Sequence, residues 1–205
     1  MTLIPENFMK LSFLRPTLLL ALAVGLTACG GKATFDVQGT ITDLKYAGMV
    51  LSNTNNGDTL TVPAGATTFK MPSSIEYGSE YTVTVKTQPA HQSCAPINGS
   101  DTAGRMAAIN IVISCSVNKN NVGGVVSGLT ADGLVLINGS GDQVTLAKDA
   151  VVYAFPGAVA YGSTYSVNVL TQPAGLTCTV ANAVGEMGDA AVTNANVTCV
   201  AKVGA

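Results

Sequence analysis

Tryptophan is absent from this chain of 205 residues, histidine occurs once, and charged residues make up only 11% of it. The single histidine, His91, would have to serve any Ser-His-Asp or Cys-His system. No carboxylate pair stands out, and no glycine-rich loop ends in the Gly-Lys-Ser/Thr of a phosphate site. Nucleic acid is not expected as a partner, because there is no basic stripe with interleaved aromatics. The sequence therefore predicts no enzyme, no metal and no cofactor.

Only one apolar run is conspicuous, and it lies near the start of the chain. Residues 17–25 are almost purely apolar, follow Lys10 and Arg15, and precede Leu26-Thr27-Ala28-Cys29. A basic start, a short apolar run and small residues at a cleavage point are the layout of a secretory signal. The run is too short to cross the ~30 Å of a bilayer's hydrocarbon core.

The tetrapeptide ending in Cys29 resembles the lipobox of bacterial lipoproteins. The resemblance implies cleavage between Ala28 and Cys29, lipidation of Cys29 with palmitate among its acyl chains, and membrane attachment through lipid alone. Gly30 follows the cysteine instead of Asp, which in such lipoproteins implies the outer membrane, on its periplasmic face or at the cell surface. An ordinary signal peptide or a short anchor with a coincidental cysteine is the alternative.

The remaining chain contains an internal repeat. Tyr77-Gly78-Ser79 recurs as Tyr161-Gly162-Ser163, and Thr87-Gln88-Pro89-Ala90 recurs as Thr171-Gln172-Pro173-Ala174, both at an offset of 84 residues. Upstream the offset is 85, so one residue was lost in the turn before Asp142. We expect a signal at 1–28, a lipidated tether at 29–34, and two homologous domains at 35–117 and 118–205, called repeat 1 and repeat 2 below.

Each repeat is predicted to be all-β. Apolar and polar residues alternate with the period of half-buried strands, and Asn/Gly/Asp clusters separate the runs as in hairpins. In repeat 1 the strands are predicted at 34–42, 48–53, 58–62, 66–71, 80–87, 92–96 and 107–116. Seven short strands in a domain of this size favour a two-sheet sandwich.

The pattern Tyr-Gly-Ser-x-Tyr-x-Val-x-Val at Tyr77 and Tyr161 resembles the tyrosine-corner strand of fibronectin type III and other immunoglobulin-like modules. Residues 39–69 also resemble the prealbumin-like modules of carboxypeptidase regulatory domains. The whole repeat is similar to tandem units of uncharacterised envelope proteins of Gram-negative bacteria. These resemblances imply two tandem immunoglobulin-like β-sandwich domains after a cleaved helical signal peptide. They imply no activity.

Five cysteines are an odd number, which the lipobox explains by assigning Cys29 to the lipid. The remaining four allow three connectivities. Only the pairs Cys94–Cys115 and Cys178–Cys199 treat the two repeats alike without crossing the linker. A metal site or a redox pair is the alternative, but zinc sites use clustered Cys and His. Structural disulfides are predicted, and an exported protein meets the oxidising conditions they need.

Three loop features could carry function. His91 lies in a turn where repeat 2 has Gly175, so we expect a position that tolerates substitution. The polar turns around Asp58 and Asp142 could in principle bind calcium, but they lack the terminal Glu of an EF-hand and are typical of hairpins. The tip at residues 96–106 differs most from its counterpart at 180–190, either through drift or because it binds a ligand.

The leading hypothesis is a non-enzymatic, lipid-anchored envelope protein with a binding, adhesion or structural role. Its ligand would be a protein or a glycan. The alternative is an accessory subunit that tethers or presents an envelope enzyme or a transport complex. A third possibility, an enzyme whose site the sequence does not reveal, is the least favoured.

Overall fold

A computed structural model describes residues 31–139 and 141–204 of the chain. The predicted signal at 1–28 and the lipobox with Ala28 and Cys29 lie outside the described residues. The chain divides into Met1–Ala33, almost all of it outside that part, and one compact unit, Thr34–Ala205. Because both repeats fall within this one unit, the division into two domains at residue 117 stays a prediction.

The described residues are all-β and contain no helix, so none long and apolar enough to cross a membrane occurs among them. Repeat 1 contains eight strands: β1 (Thr34–Thr42), β2 (Met49–Asn53), β3 (Asp58–Val62), β4 (Thr68–Glu76), β5 (Glu80–Thr87), β6 (Gln92–Ile97), β7 (Ser100–Thr102) and β8 (Ile111–Val117). Repeat 2 contains ten: β9 (Lys119–Asn120), β10 (Gly123–Ser127), β11 (Leu134–Asn138), β12 (Asp142–Leu146), β13 (Val152–Ala154), β14 (Val159–Ala160), β15 (Thr164–Thr171), β16 (Leu176–Val180), β17 (Val184–Glu186) and β18 (Val197–Ala201).

The two repeats have the same sheet order. Repeat 1 packs the sheet β4-β1-β8-β6 against the sheet β3-β2-β5-β7. Repeat 2 packs β13-β10-β18-β16 against β12-β11-β15-β17, and the short pair β14-β9 continues the pairing that the longer β4 and β1 make in repeat 1. Each repeat is therefore a β-sandwich.

A glycine is required where β1 meets β8 in repeat 1 and where β10 meets the segment just before β18 in repeat 2. Strand β1 lies between β4 on one side and β8, which runs parallel to it, on the other. A Cβ at Gly39 would overlap the backbone carbonyl of Ile111, and one at Gly124 would overlap the carbonyl of Ala195. Any larger residue would force these strands apart.

Each sandwich encloses its own apolar cluster. In repeat 1 the cluster includes Val37, Leu51, Met71, Ile111 and Ile113, all at most 1% exposed. In repeat 2 the fully buried side chains include Val122, Leu134, Leu136, Phe155 and Met187. The alternation of buried and exposed positions along the strands is the period-2 pattern of the sequence.

Two strand predictions are wrong in their bounds and one strand was missed. Strand β4 extends beyond the predicted 66–71 to Glu76, because an edge strand tolerates Pro72. The predicted 107–116 begins only at Ile111, although Ile109 is buried. Strand β7 consists of three polar residues and has no apolar alternation that could reveal it.

Candidate functional site

The four cysteines form two disulfides at equivalent places. Cys94 is bonded to Cys115 and Cys178 to Cys199, the same pairs that the sequence predicts. Each pair sits directly opposite in register on the antiparallel strands β6–β8 and β16–β18. All four side chains are buried, so these bridges act as structural links within each sandwich.

A glutamine side chain brackets the first cysteine of each disulfide. The Gln88 amide accepts a hydrogen bond from the Cys94 N–H at 2.7 Å and donates one to the Cys94 carbonyl at 3.0 Å. Gln172 makes the same two bonds to Cys178 at the same distances. The glutamine amide thus satisfies the N–H and the carbonyl of the cysteine, as the backbone of a neighbouring strand would. This role explains why Thr-Gln-Pro-Ala occurs in both repeats.

The polar turns around Asp58 and Asp142 are part of the hairpin architecture. Asp58 accepts hydrogen bonds from the backbone and hydroxyl of Ser73, and Asp142 accepts one from the Gly157 N–H. Asp58 therefore joins the β2–β3 hairpin to β4, and Asp142 joins the β11–β12 hairpin to the loop between β13 and β14. No group of three or more His, Cys, Asp or Glu side chains that could hold a metal occurs in the described part of the chain.

The divergent tip at residues 96–106 borders a groove of about 340 Å³, whose polar lining includes Asn98, Asp101 and Thr102. Asp101 lies 3.6 Å from the Arg105 guanidinium. Burial, and then the negative charge of Asp101, raise the pKa of the Tyr81 hydroxyl at the groove's inner side. The groove offers neutral hydrogen-bonding groups and the Asp101 carboxylate, and ligand recognition by this tip stays a prediction.

His91 lies at the junction between the repeats. Its ring stacks on Tyr161 with centroids 3.7 Å apart, and its Nδ1 lies 2.8 Å from a carboxylate oxygen of Asp189. Tyr46 packs edge-on against both rings. The structure therefore gives this turn position contacts that the sequence did not reveal, and its tolerance of substitution stays a prediction. The backbone of His91 is left-handed, with φ of 58°, and that of Gly175 in repeat 2 is also left-handed, with φ of 70°. This conformation suits glycine, which is why repeat 2 can have a glycine here.

A buried glutamine holds Tyr46 in place at this junction. The side chain of Gln92 is 1% exposed. Its oxygen accepts hydrogen bonds from the N–H groups of Lys45 and Tyr46, and its nitrogen donates to the Asp43 carbonyl. Repeat 2 has Leu176 at the position of Gln92. The loop that carries Tyr46 is thus fixed in this way in repeat 1 only.

A groove lies beside β1 in repeat 1 and beside β10 in repeat 2, and the two grooves differ in chemistry. In repeat 1 its lining includes Gln38, Thr40, Thr68 and Lys70. The equivalent positions in repeat 2 are Gly123, Val125, Val152 and Ala154, which line a groove of about 230 Å³.

The surface beside the repeat 2 groove is apolar and accessible. Val125 is 51% exposed and Val152 66% exposed. Both lie on β10 and β13, and no described strand pairs with the outer edge of β13. In repeat 1 the same edge carries Lys70, whose ammonium pairs with Asp36 at 2.7 Å. The duplicated groove is therefore polar and charged in repeat 1 and apolar in repeat 2. Sequence reasoning missed this, although Thr68 and Lys70 aligned with Val152 and Ala154 were visible in the repeat.

No protein-family model matches the chain, and no curated protein matches it significantly. Among solved structures, the chain is similar to the pilus adhesin SpaC from Lactobacillus rhamnosus GG, at 13% identity and a TM-score of 0.33. That similarity covers 82% of this chain and 31% of the adhesin, so the chain spans less than a third of the adhesin's length. It is also similar to the major pilin protein T3.2 from Streptococcus pyogenes serotype GAS13637, at 11% identity and a TM-score of 0.28, over 83% of this chain and 98% of the pilin. Both similarities are distant.

Proposed function

We propose that this chain is a lipid-anchored protein of the bacterial outer membrane with a non-enzymatic binding role. Lipidation of Cys29 attaches it to the membrane, and the apolar groove of repeat 2 binds a protein partner. The lipobox supports the anchor, because it places a cysteine directly after Ala28 at the end of a short apolar run.

The main support for a binding role is that the groove is apolar in repeat 2, whereas its counterpart in repeat 1 is polar and charged. Two exposed valines on neighbouring strands place apolar surface beside this groove, and contiguous exposed apolar surface is a mark of protein interaction sites. Val125 and Val152 are opposite each other in the β10–β13 pairing, so their side chains share one face. Their counterparts Thr40 and Thr68 keep the same face of repeat 1 polar.

Site-specific photocross-linking in living cells tests this proposal. A photoreactive phenylalanine analogue at Val152 should form a discrete adduct with a second protein, whereas the same analogue at Thr68 should not. The substitution pair Val152→Thr and Ala154→Lys, which installs the repeat 1 residues, should abolish the adduct formed by the analogue at Val125. Absence of an adduct at Val152, or equal adducts at Val152 and Thr68, would rule out a specific binding face on repeat 2.

The anchor is tested in the same cells. Cys29→Ser should abolish incorporation of radiolabelled palmitate and leave the uncleaved precursor, because cleavage in this pathway requires the lipidated cysteine. Mature protein that reaches the membrane fraction without label would contradict lipid anchoring.

A further inference from the structure

One end of repeat 1 exposes apolar side chains beside the start of β1. Tyr77, in the turn between β4 and β5, is 64% exposed, and Met106 is 71% exposed. The Tyr77 ring lies so close to Gly104 that a Cβ there would overlap it. The Phe35 ring is 6.4 Å away. This surface, formed by Tyr77, Gly104 and Met106, is called the free end below.

The equivalent end of repeat 2 is a contact surface. Tyr161 occupies the position of Tyr77 in the same Tyr-Gly-Ser turn, and its ring is covered by His91 and Tyr46 of repeat 1. The neighbouring Gly188 carbonyl accepts a hydrogen bond from the Asn120 side chain. The same turn is therefore used for docking in repeat 2 and has no such cover in the described part of repeat 1.

A second copy of the chain does not supply an equivalent cover. The residues that receive Tyr161 are the rings of His91 and Tyr46, and both are already engaged. At the far end of repeat 2 the corresponding positions are Gly175 and Ala131. Neither carries a ring, so the Tyr77 of another molecule would meet no aromatic receptor there.

The short chain between Cys29 and the start of β1 favours the membrane, and not a second copy, as the surface that covers the free end. Strand β1 starts at Thr34, which pairs with Glu76, the residue before Tyr77. Thr34 follows Cys29 closely in the sequence, and the intervening chain reaches about 17 Å even when fully extended. If Cys29 carries the lipid, the free end cannot move much farther than this from the headgroups. Tyrosine is enriched at membrane interfaces, because its ring is apolar and its hydroxyl remains hydrated.

We infer that the free end docks on the phospholipid surface into which the Cys29 lipid is inserted, with Tyr77 and Met106 at the depth of the headgroups. This inference rests on the lipid anchor of the proposed function. The short tether raises the effective concentration of the free end at the membrane, so a small apolar contact is sufficient. The junction with repeat 2 lies at the other end of β1, where Tyr46 contacts Tyr161, so repeat 1 would separate repeat 2 from the membrane.

The absence of tryptophan makes a direct test possible. Tyr77→Trp gives the full lipidated chain a single fluorescent reporter at the free end. The variant is reconstituted into phosphatidylethanolamine–phosphatidylglycerol vesicles whose acyl chains are brominated, since bromine quenches tryptophan on contact. Most of the fluorescence should be lost, and the emission should shift to shorter wavelength. Met106→Trp is a second reporter with the same expectation.

Val200→Trp is the matched control. Val200 is 58% exposed, as accessible as the reporters, but lies on β18 of repeat 2. The emission of this variant should be the same in brominated and unbrominated vesicles. Vesicle-bound protein in which the Tyr77→Trp and Val200→Trp variants are quenched equally, or not at all, overturns the docking while leaving the anchor intact. Failure of the lipidated chain to float with the vesicles overturns both.

Discussion

Repeat 1 and repeat 2 share strand order, disulfide and glutamine bracket, yet they fill their cores differently. Along β8, repeat 1 buries Ile111 and Ile113, whereas repeat 2 has Ala195 and Val197 at these positions. Repeat 2 also has Tyr153 where repeat 1 has Phe69, and the Tyr153 hydroxyl donates a hydrogen bond to the Ala195 carbonyl at 2.6 Å. The two repeats thus have the same backbone pairing and the same disulfide. At these positions repeat 1 buries larger apolar side chains, and repeat 2 buries a tyrosine hydroxyl that is hydrogen-bonded.

A second contrast concerns the ends of the repeats. The same Tyr-Gly-Ser turn is covered at Tyr161 and exposed at Tyr77, which is 64% accessible. The sequence of the turn is identical, so its neighbours alone determine what it does.

Loss of the disulfides should have the largest effect on stability, and its outcome should differ between the two repeats. Closing a loop of about 20 residues contributes roughly 3 kcal/mol to stability. Repeat 2 buries the smaller Ala195 and Val197 where repeat 1 buries Ile111 and Ile113, so Cys178→Ala with Cys199→Ala should unfold it. Cys94→Ala with Cys115→Ala should leave repeat 1 folded but less stable. Urea titrations followed by NMR of resolved amides in each repeat measure this. If both repeats stay folded without their disulfides and have equal free energies of unfolding, the core difference is of no energetic consequence.

The buried hydroxyl of repeat 2 should matter next. Tyr153→Phe leaves the buried Ala195 carbonyl without its partner, which costs about 1–3 kcal/mol. The loss should appear in the unfolding of repeat 2 and not in that of repeat 1. Tyr77→Phe is the control, because it removes an exposed hydroxyl and should change the free energy of unfolding by only a few tenths of a kcal/mol.

The same variant has a pH signature. Burial, and then the nearby Tyr165, raise the pKa of Tyr153 to about 12 from its ordinary value of 10.0. Since the folded state holds this proton more tightly, its contribution to stability is complete below about pH 10 and is lost as the pH rises towards about 12. Repeat 2 of the natural chain should therefore lose stability in this window, and Tyr153→Phe should flatten that part of the profile. If the stability of repeat 2 depends on alkaline pH in the same way in Tyr153→Phe as in the natural chain, groups other than Tyr153 cause the loss of stability.

The smallest expected effect is at the junction. His91→Gly removes the stacking on Tyr161 and the contact with Asp189, yet glycine readily adopts the φ of 58° found there. The cost should be about 0.5–1 kcal/mol, as for other partly exposed contacts of this kind. Small-angle scattering should show a broader distribution of angles between the repeats. If the variant keeps the scattering profile of the natural chain, the backbone hydrogen bonds that join Asn118 to His91 and to Tyr161 are sufficient to hold the junction.

Much of the fold was predictable because its signals are local. Alternation at Val83 and Val85 revealed β5, and the shared spacing of the cysteines identified both disulfides. The misplaced start of β8 has a physical cause: Ile109 is buried without belonging to a ladder, so its apolar character extended the predicted strand too far. Strand β7 was invisible since its pairing with β5, and not its composition, makes it a strand.

By itself the sequence determined the all-β class, the internal repeat and the cysteine pairs, because each depends on residue type at short or regular spacing. Only the tertiary structure decided what His91 does, since Asp189 lies 98 residues away along the chain. It also brought Val125 and Val152 onto one face, across the pairing of β10 and β13. Which copy of the Tyr-Gly-Ser turn is covered depends on long-range packing, and two identical tripeptides contain no information about it.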